Sequence, residues 1–165
     1  MSATSAPVRQ SHAPHRVNDP WHHILVATDG TSASLAPTSR ALELACRDRA
    51  DLTIVVVHPA GPRGEPSHAG GGITVLQPLL EQARAAGVRV SVEERCGPTG
   101  QTIVDLAREM DADLIVVGRH GRLHDLPSGT ATCGYVLTHS DRPVLVVQPW
   151  APDAARGGPV REPAR

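Results

Sequence analysis

Apolar residues fall along this chain in short continuous runs that alternate with stretches where they recur every three or four positions, the rhythm of strands and helices taking turns. The first run, His23-Ile24-Leu25-Val26-Ala27, empties into Thr28-Asp29-Gly30-Thr31-Ser32-Ala33-Ser34, which is turn and cap chemistry. A helix is expected next, with Leu35, Thr38, Leu42 and Ala45 or Cys46 on its buried stripe. Pro37 limits where it begins. With Ser34 as N-cap the proline occupies N3, whose N–H needs no intrahelical partner, whereas a start at Ser32 would cost a backbone hydrogen bond. Residues 52–57 are a second run, apolar enough for a strand covered on both faces. The Pro/Gly-rich connection 58–72 is longer than most; it is either a mobile cover over a site or, the favoured reading, an exposed excursion.

A helix over 74–86 carries Leu76, Leu79, Leu80 and Ala83 at helical spacing, with Pro78 in or near its first turn and Gly87 as its C′ residue. Residues 88–93 alternate apolar and polar, the pattern of an edge strand with one wet face. Cys96-Gly97-Pro98-Thr99 opens the next helix, with Ile103, Leu106, Ala107 and Met110 turned inward. From Asp113 the chain enters Leu114-Ile115-Val116-Val117, then the glycine-bearing loop Gly118-Arg119-His120-Gly121, and soon after Ser128-Gly129-Thr130. A helix over 131–139 places Cys133, Val136 and Leu137 on one side, and 143–147 is the last apolar strand. Five strands alternating with four helices specify an α/β fold, a parallel, doubly wound sheet with right-handed crossovers. Residues 21–148 form its one domain, between a flexible arm at 1–20 and a flexible tail at 149–165, neither of which has a core-forming pattern.

Composition narrows the function. A chain of 165 residues buries a core without staples. Sixteen basic against seventeen acidic residues leave a formal charge of −1, no pull toward nucleic acid or an anionic membrane. There is no apolar run of transmembrane length and no signal-peptide core, so a cytoplasmic location is the expectation. Lysine is absent, which removes Walker-type phosphate loops and Schiff-base chemistry. Phenylalanine is absent too, and Trp21, Tyr135 and Trp150 are the whole aromatic set, too few to stack nucleobases on a sheet. Cys46, Cys96 and Cys133 are odd in number and far apart, against both a disulfide framework and a structural zinc site. Cys46 and Cys133 are expected in or near the core; Cys96 has no base identifiable from sequence and reads as inert.

Chemistry converges on two strand ends. In an open parallel sheet a crevice forms where neighbouring crossovers take opposite faces, and strands one and four are the natural switch point. There Asp29 can accept a hydrogen bond from a ribose hydroxyl or an adenine amino group, while backbone N–H groups of Gly118 to Gly121 and of Gly129 to Ala131 face phosphates. The bland alternative for Asp29 is an Asx-turn or a helix cap. Arg119 and Arg122 carry the sign to meet a triphosphate. His120, His124 and Asp125 form a weak metal-ligand pattern, because loop residues at that spacing need not share a direction; no metal is expected. No nucleophile-base-orienter set is visible, so no enzyme activity beyond slow, incidental ATP hydrolysis is expected.

The segments 23–34, 96–99 with Ile103 to Ala107, 112–121 and 135–147 together resemble the universal stress protein family, in the correct order and across 21–148. The resemblance implies an adenine nucleotide alpha hydrolase-like, Rossmann-like sheet in the order 3-2-1-4-5, a homodimer through Val144–Val147 and, in one branch, an ATP or AMP site, with Mg2+ accompanying ATP. On that branch Asp29 matches the acidic residue touching the nucleoside and Val57 the apolar residue beside adenine. Gly118, His120 and Gly121 fall on a G-x-H-G motif that touches ribose and phosphates. The implied pocket comprises Ala27, Thr28, Asp29, Val57, Gly118, Arg119, His120, Gly121, Gly129, Thr130 and Ala131. One departure stands out: seven residues, Arg122 to Ser128, separate Gly121 from Gly129-Thr130, fewer than in the family pattern, and Pro127 removes one N–H from that loop. The resulting expectation is a stress-response protein that binds ATP or AMP and acts through dimer and partner contacts. The alternative is a nucleotide-independent interaction module with a degenerate phosphate loop. An ATP-using enzyme of a related group is disfavoured, since both the Walker lysine and an S-G-G-x-D-S loop are missing.

Overall fold

A computed structural model describes residues 19–31, 34–58, 72–119 and 132–148. In chain order the elements are β1 (His23–Thr28), α1 (Leu35–Asp48), β2 (Asp51–His58), α2 (Gly72–Ala85), β3 (Val90–Cys96), α3 (Thr99–Glu109), β4 (Leu114–Gly118), α4 (Thr132–His139) and β5 (Val144–Val147). The strands pair in parallel in the order β3-β2-β1-β4-β5. The alternation led to a parallel sheet, and the family resemblance to this order of its strands. The central strands are apolar throughout because both faces are covered. Ile24, Val26, Ile54 and Val116 meet α1 and α2 on one side; Leu25, Val55, Ile115 and Val117 meet α3 and α4 on the other. Side chains alternate across a strand, so successive residues of the central strands enter opposite cores.

The start of β1 is tied to its neighbours by polar groups. Asp113 Oδ2 accepts the N–H groups of His22 (2.5 Å) and His23 (3.2 Å), holding β1 level with β4. His23 Nδ1 lies 3.2 Å from the carbonyl of Met110, which can only accept, so Nδ1 carries the hydrogen. Its Nε2 is then the acceptor for Thr53 Oγ1 at 2.9 Å, and Thr53 in turn accepts from Ser91 Oγ, also at 2.9 Å.

Several expectations shift. Pro78 lies inside α2, in its second turn, because the helix begins at Gly72. The proline cannot donate to the carbonyl of Thr74, but both residues are exposed and water can serve that oxygen, while burial of Leu76, Leu79 and Ala83 holds the helix together. Gly87 closes α2 as expected, at φ +71°, with its N–H on the Arg84 carbonyl (3.1 Å) and the Val88 N–H on the Ala83 carbonyl (3.0 Å). β3 is the edge strand foreseen, yet it runs on to Cys96, so that residue ends a strand instead of opening α3. Cys46 is exposed and Cys133 half-buried. Leu137 is 54 % exposed. Both misplaced side chains follow a residue that is buried, Ala45 and Val136, and one step along a helix turns about 100° away from the core. Among the described residues no helix is long and apolar enough to cross a membrane.

Candidate functional site

All five strands point their carboxyl ends the same way, and the helices change faces between β1 and β4. Sheets of this kind take ligands beyond the strand ends where the covering helices change faces, here past Thr28 and Gly118, which each lie two residues past the paired Val26 and Val116. One step beyond the Thr28/Val56 pair brings Asp29 level with Val57. Val57 is 8 % exposed and Ala27 half-buried, and both belong to the face covered by α3 and α4. They supply an apolar wall beneath an exposed carboxylate.

The loop after β1 is built by a directional chain of hydroxyls. The Gly30 N–H donates to Thr28 Oγ1 (3.0 Å), and Ser34 Oγ donates to the Thr31 carbonyl (2.8 Å). The 2.6 Å contact between the Thr28 and Ser34 hydroxyls must then be donated by Thr28. Thr28 and Ser34 are buried, so the Thr28 side chain shapes the loop and does not face the crevice. Ser34 precedes α1, and Pro37 stands at N3 as the sequence requires, but the Ser34 side chain makes no capping bond. Instead its carbonyl accepts from Thr38 Oγ1 at 2.8 Å. The role of Ser34 as a loop brace was not apparent from sequence; the hydroxyl-rich run from Thr28 to Ser34 is the signal that marks it. Ser34→Ala leaves Thr28 without its buried acceptor and is expected to lower stability by about 1–3 kcal/mol in urea unfolding.

Asp29 closes an Asx-turn: its Oδ1 accepts the N–H (2.9 Å) and the hydroxyl (2.8 Å) of Thr31, and Gly30 follows at φ +73°. The Asx-turn expected as the alternative for Asp29 is thus present, and the residue stays exposed at the carboxyl end of β1. On the β4 side, the Arg119 N–H is donated to the Val147 carbonyl (2.9 Å), so this donor belongs to the sheet and does not join a phosphate-facing set. Its guanidinium charge acts elsewhere. Burial pushes the Cys133 thiol up, and the Arg119 charge opposes that shift. Close packing sets where α4 lies: a Cβ at Gly100 of α3 would stand 2.7 Å from Tyr135 Cβ. His120, Gly121, Gly129, Thr130 and Ala131 lie outside the described residues, as do Arg122, His124, Asp125, Pro127, the connection after His58, most of the arm and the tail.

The model of the universal stress protein family matches residues 20–148. The chain belongs to that family. Among curated relatives, universal stress protein Sll1388 of Synechocystis is 36 % identical over 75 residues, 44 % of this chain and 48 % of the relative, so the match spans about half the length of that protein. A universal stress protein solved in complex with cAMP superposes with a TM-score of 0.65 at 24 % identity, covering 80 % of this chain and all of the other. The Archaeoglobus fulgidus universal stress protein in complex with dAMP gives 0.59 at 21 % identity, covering 78 % of this chain and 98 % of the other. At those identities the likeness establishes the fold that the family members share.

Proposed function

We propose that this universal stress protein family member binds an adenine nucleotide, AMP or ATP with Mg2+, in the crevice between β1 and β4, and works in the cytoplasm through contacts that change with the bound ligand. The observation that carries this is the exposed Asp29 carboxylate fixed at the switch point, level with the apolar Val57. An adenosine fits that pairing: the apolar wall takes the base, and the carboxylate accepts from ribose hydroxyls. Arg119, the residue after β4, supplies positive charge at the end where phosphates would lie, and the N-terminus of α4 adds to it. His120, Gly121, Gly129, Thr130 and Ala131 are assigned to the same phosphate end on the family resemblance. The cAMP and dAMP complexes of two structural relatives support the ligand class. AMP or ATP at millimolar concentration is expected to raise the melting temperature of nucleotide-stripped protein, since a ligand that binds only the folded state stabilises it. No shift with either nucleotide favours the interaction module.

The second part of the proposal is a homodimer through β5. This strand is the outer edge of the sheet, and its four apolar residues are half-buried on both faces. An apolar edge strand with open backbone groups is a template for another strand. Light scattering is expected to give twice the mass of one chain; a monomer at concentrations well above those of the binding assay contradicts it.

A further inference from the structure

At the ends of β2 and β3 three chemically active side chains share one sheet face. His58 and Cys96 are register partners, and Glu94, two residues before Cys96, holds His58 Nε2 at 3.1 Å from its Oε2. This face is the one covered by α1 and α2, so the cluster lies across the sheet from Val57 and the nucleotide crevice. The turn beyond Cys96 keeps the pair together: the Gly97 N–H donates to the His58 carbonyl at 3.0 Å. Gly97 has φ +144°, and a Cβ there would stand 2.9 Å from Thr102 Oγ1, so the position is reserved for glycine.

The chemistry follows from which atom holds the hydrogen. An ionised carboxylate only accepts, so the ring donates from Nε2 and Nδ1 is left as the basic nitrogen. His58 is 20 % exposed, and Cys96 is exposed to solvent. Neighbouring parallel strands lie about 4.8 Å apart, so the register places the two side chains next to each other on this face. No group of three or more His, Cys, Asp or Glu among the described residues is gathered tightly enough for a metal ion.

We propose that Cys96 is a reactive thiol for which His58 is the base, and that it exchanges with low-molecular-weight disulfides. The thiol gives its proton to Nδ1, and Cys96 Sγ attacks one sulfur of the disulfide. The protein-bound S–S bond forms as the old one breaks; Cys96 is oxidised, the departing half is reduced, and it takes the proton back from the imidazolium.

Cys46 is also exposed and serves as an internal control. Full-length protein is incubated with glutathione disulfide at pH 7 and the mixed disulfides are located by peptide mass spectrometry. Cys96 is expected to react about tenfold faster than Cys46. His58→Ala lowers the Cys96 rate to that of Cys46 without changing Cys46, and added imidazole restores it. His58→Gln, which keeps a polar side chain without a base, repeats the loss if the alanine variant folds poorly. Equal rates at Cys46 and Cys96 in the natural protein, or an unchanged Cys96 rate without His58, overturns the proposal.

Discussion

Replacing Asp29 by alanine is expected to weaken AMP or ATP binding by more than about 1.5 kcal/mol, roughly tenfold or more in affinity, the scale of a lost hydrogen bond to a charged group. Titration calorimetry on the variant measures it. Two effects must be separated, because Asp29 also closes the turn onto Thr31. Asp29→Asn keeps an acceptor for that turn and removes the charge. If the carboxylate contacts the nucleoside, the asparagine variant retains the melting temperature of the unliganded protein and still binds more weakly. Affinity unchanged in both variants means that base and ribose lie elsewhere.

The largest effect on stability is expected at Ile115. It is fully buried, paired with Leu25 on one side and Val144 on the other, in the core that α3 and α4 cover. Ile115→Ala removes three carbons from a site enclosed by the sheet and its helices, which has little room to collapse. A loss of about 3 kcal/mol and a fall in Tm of about 10 °C are expected by thermal unfolding. Ile115→Val, which removes one carbon, should cost only about 1 kcal/mol. An alanine variant as stable as the valine variant would show that β4 is not packed as described.

Strand and helix identities were legible because both periods are written directly into the sequence. Runs such as 52–57 and 114–117 have no wet face, and only a parallel sheet covered on both sides uses them. The strand order came from the family resemblance, since periodicity does not say which strand pairs with which. Positions next to a stripe were harder. Ala45 and Cys46, or Val136 and Leu137, are neighbouring apolar residues, and only rotation about the helix axis decides which is buried. Pro78 looked like a helix start because a proline is costly further in, and burial of the leucines around it outweighs that local preference.

The site was legible in part for a related reason. Asp29 and Val57 sit at predictable ends of recognisable strands. Thr28 and Arg119 are in place as residues, but the Thr28 hydroxyl and the Arg119 N–H are used by the fold, and a sequence motif does not record which donors the backbone has already engaged. Pairings between distant segments were invisible for the same reason. His58 and Cys96 are far apart in sequence and become neighbours only through the β2/β3 register.

Everything proposed for the space between β1 and β4 depends on its holding an adenine nucleotide. Titration calorimetry of AMP, and of ATP with Mg2+, into nucleotide-stripped full-length protein tests it most directly. Saturable heat fitting one site per chain is the predicted result. The absence of heat with both ligands at millimolar concentration would contradict it and leave the fold as a nucleotide-independent interaction module.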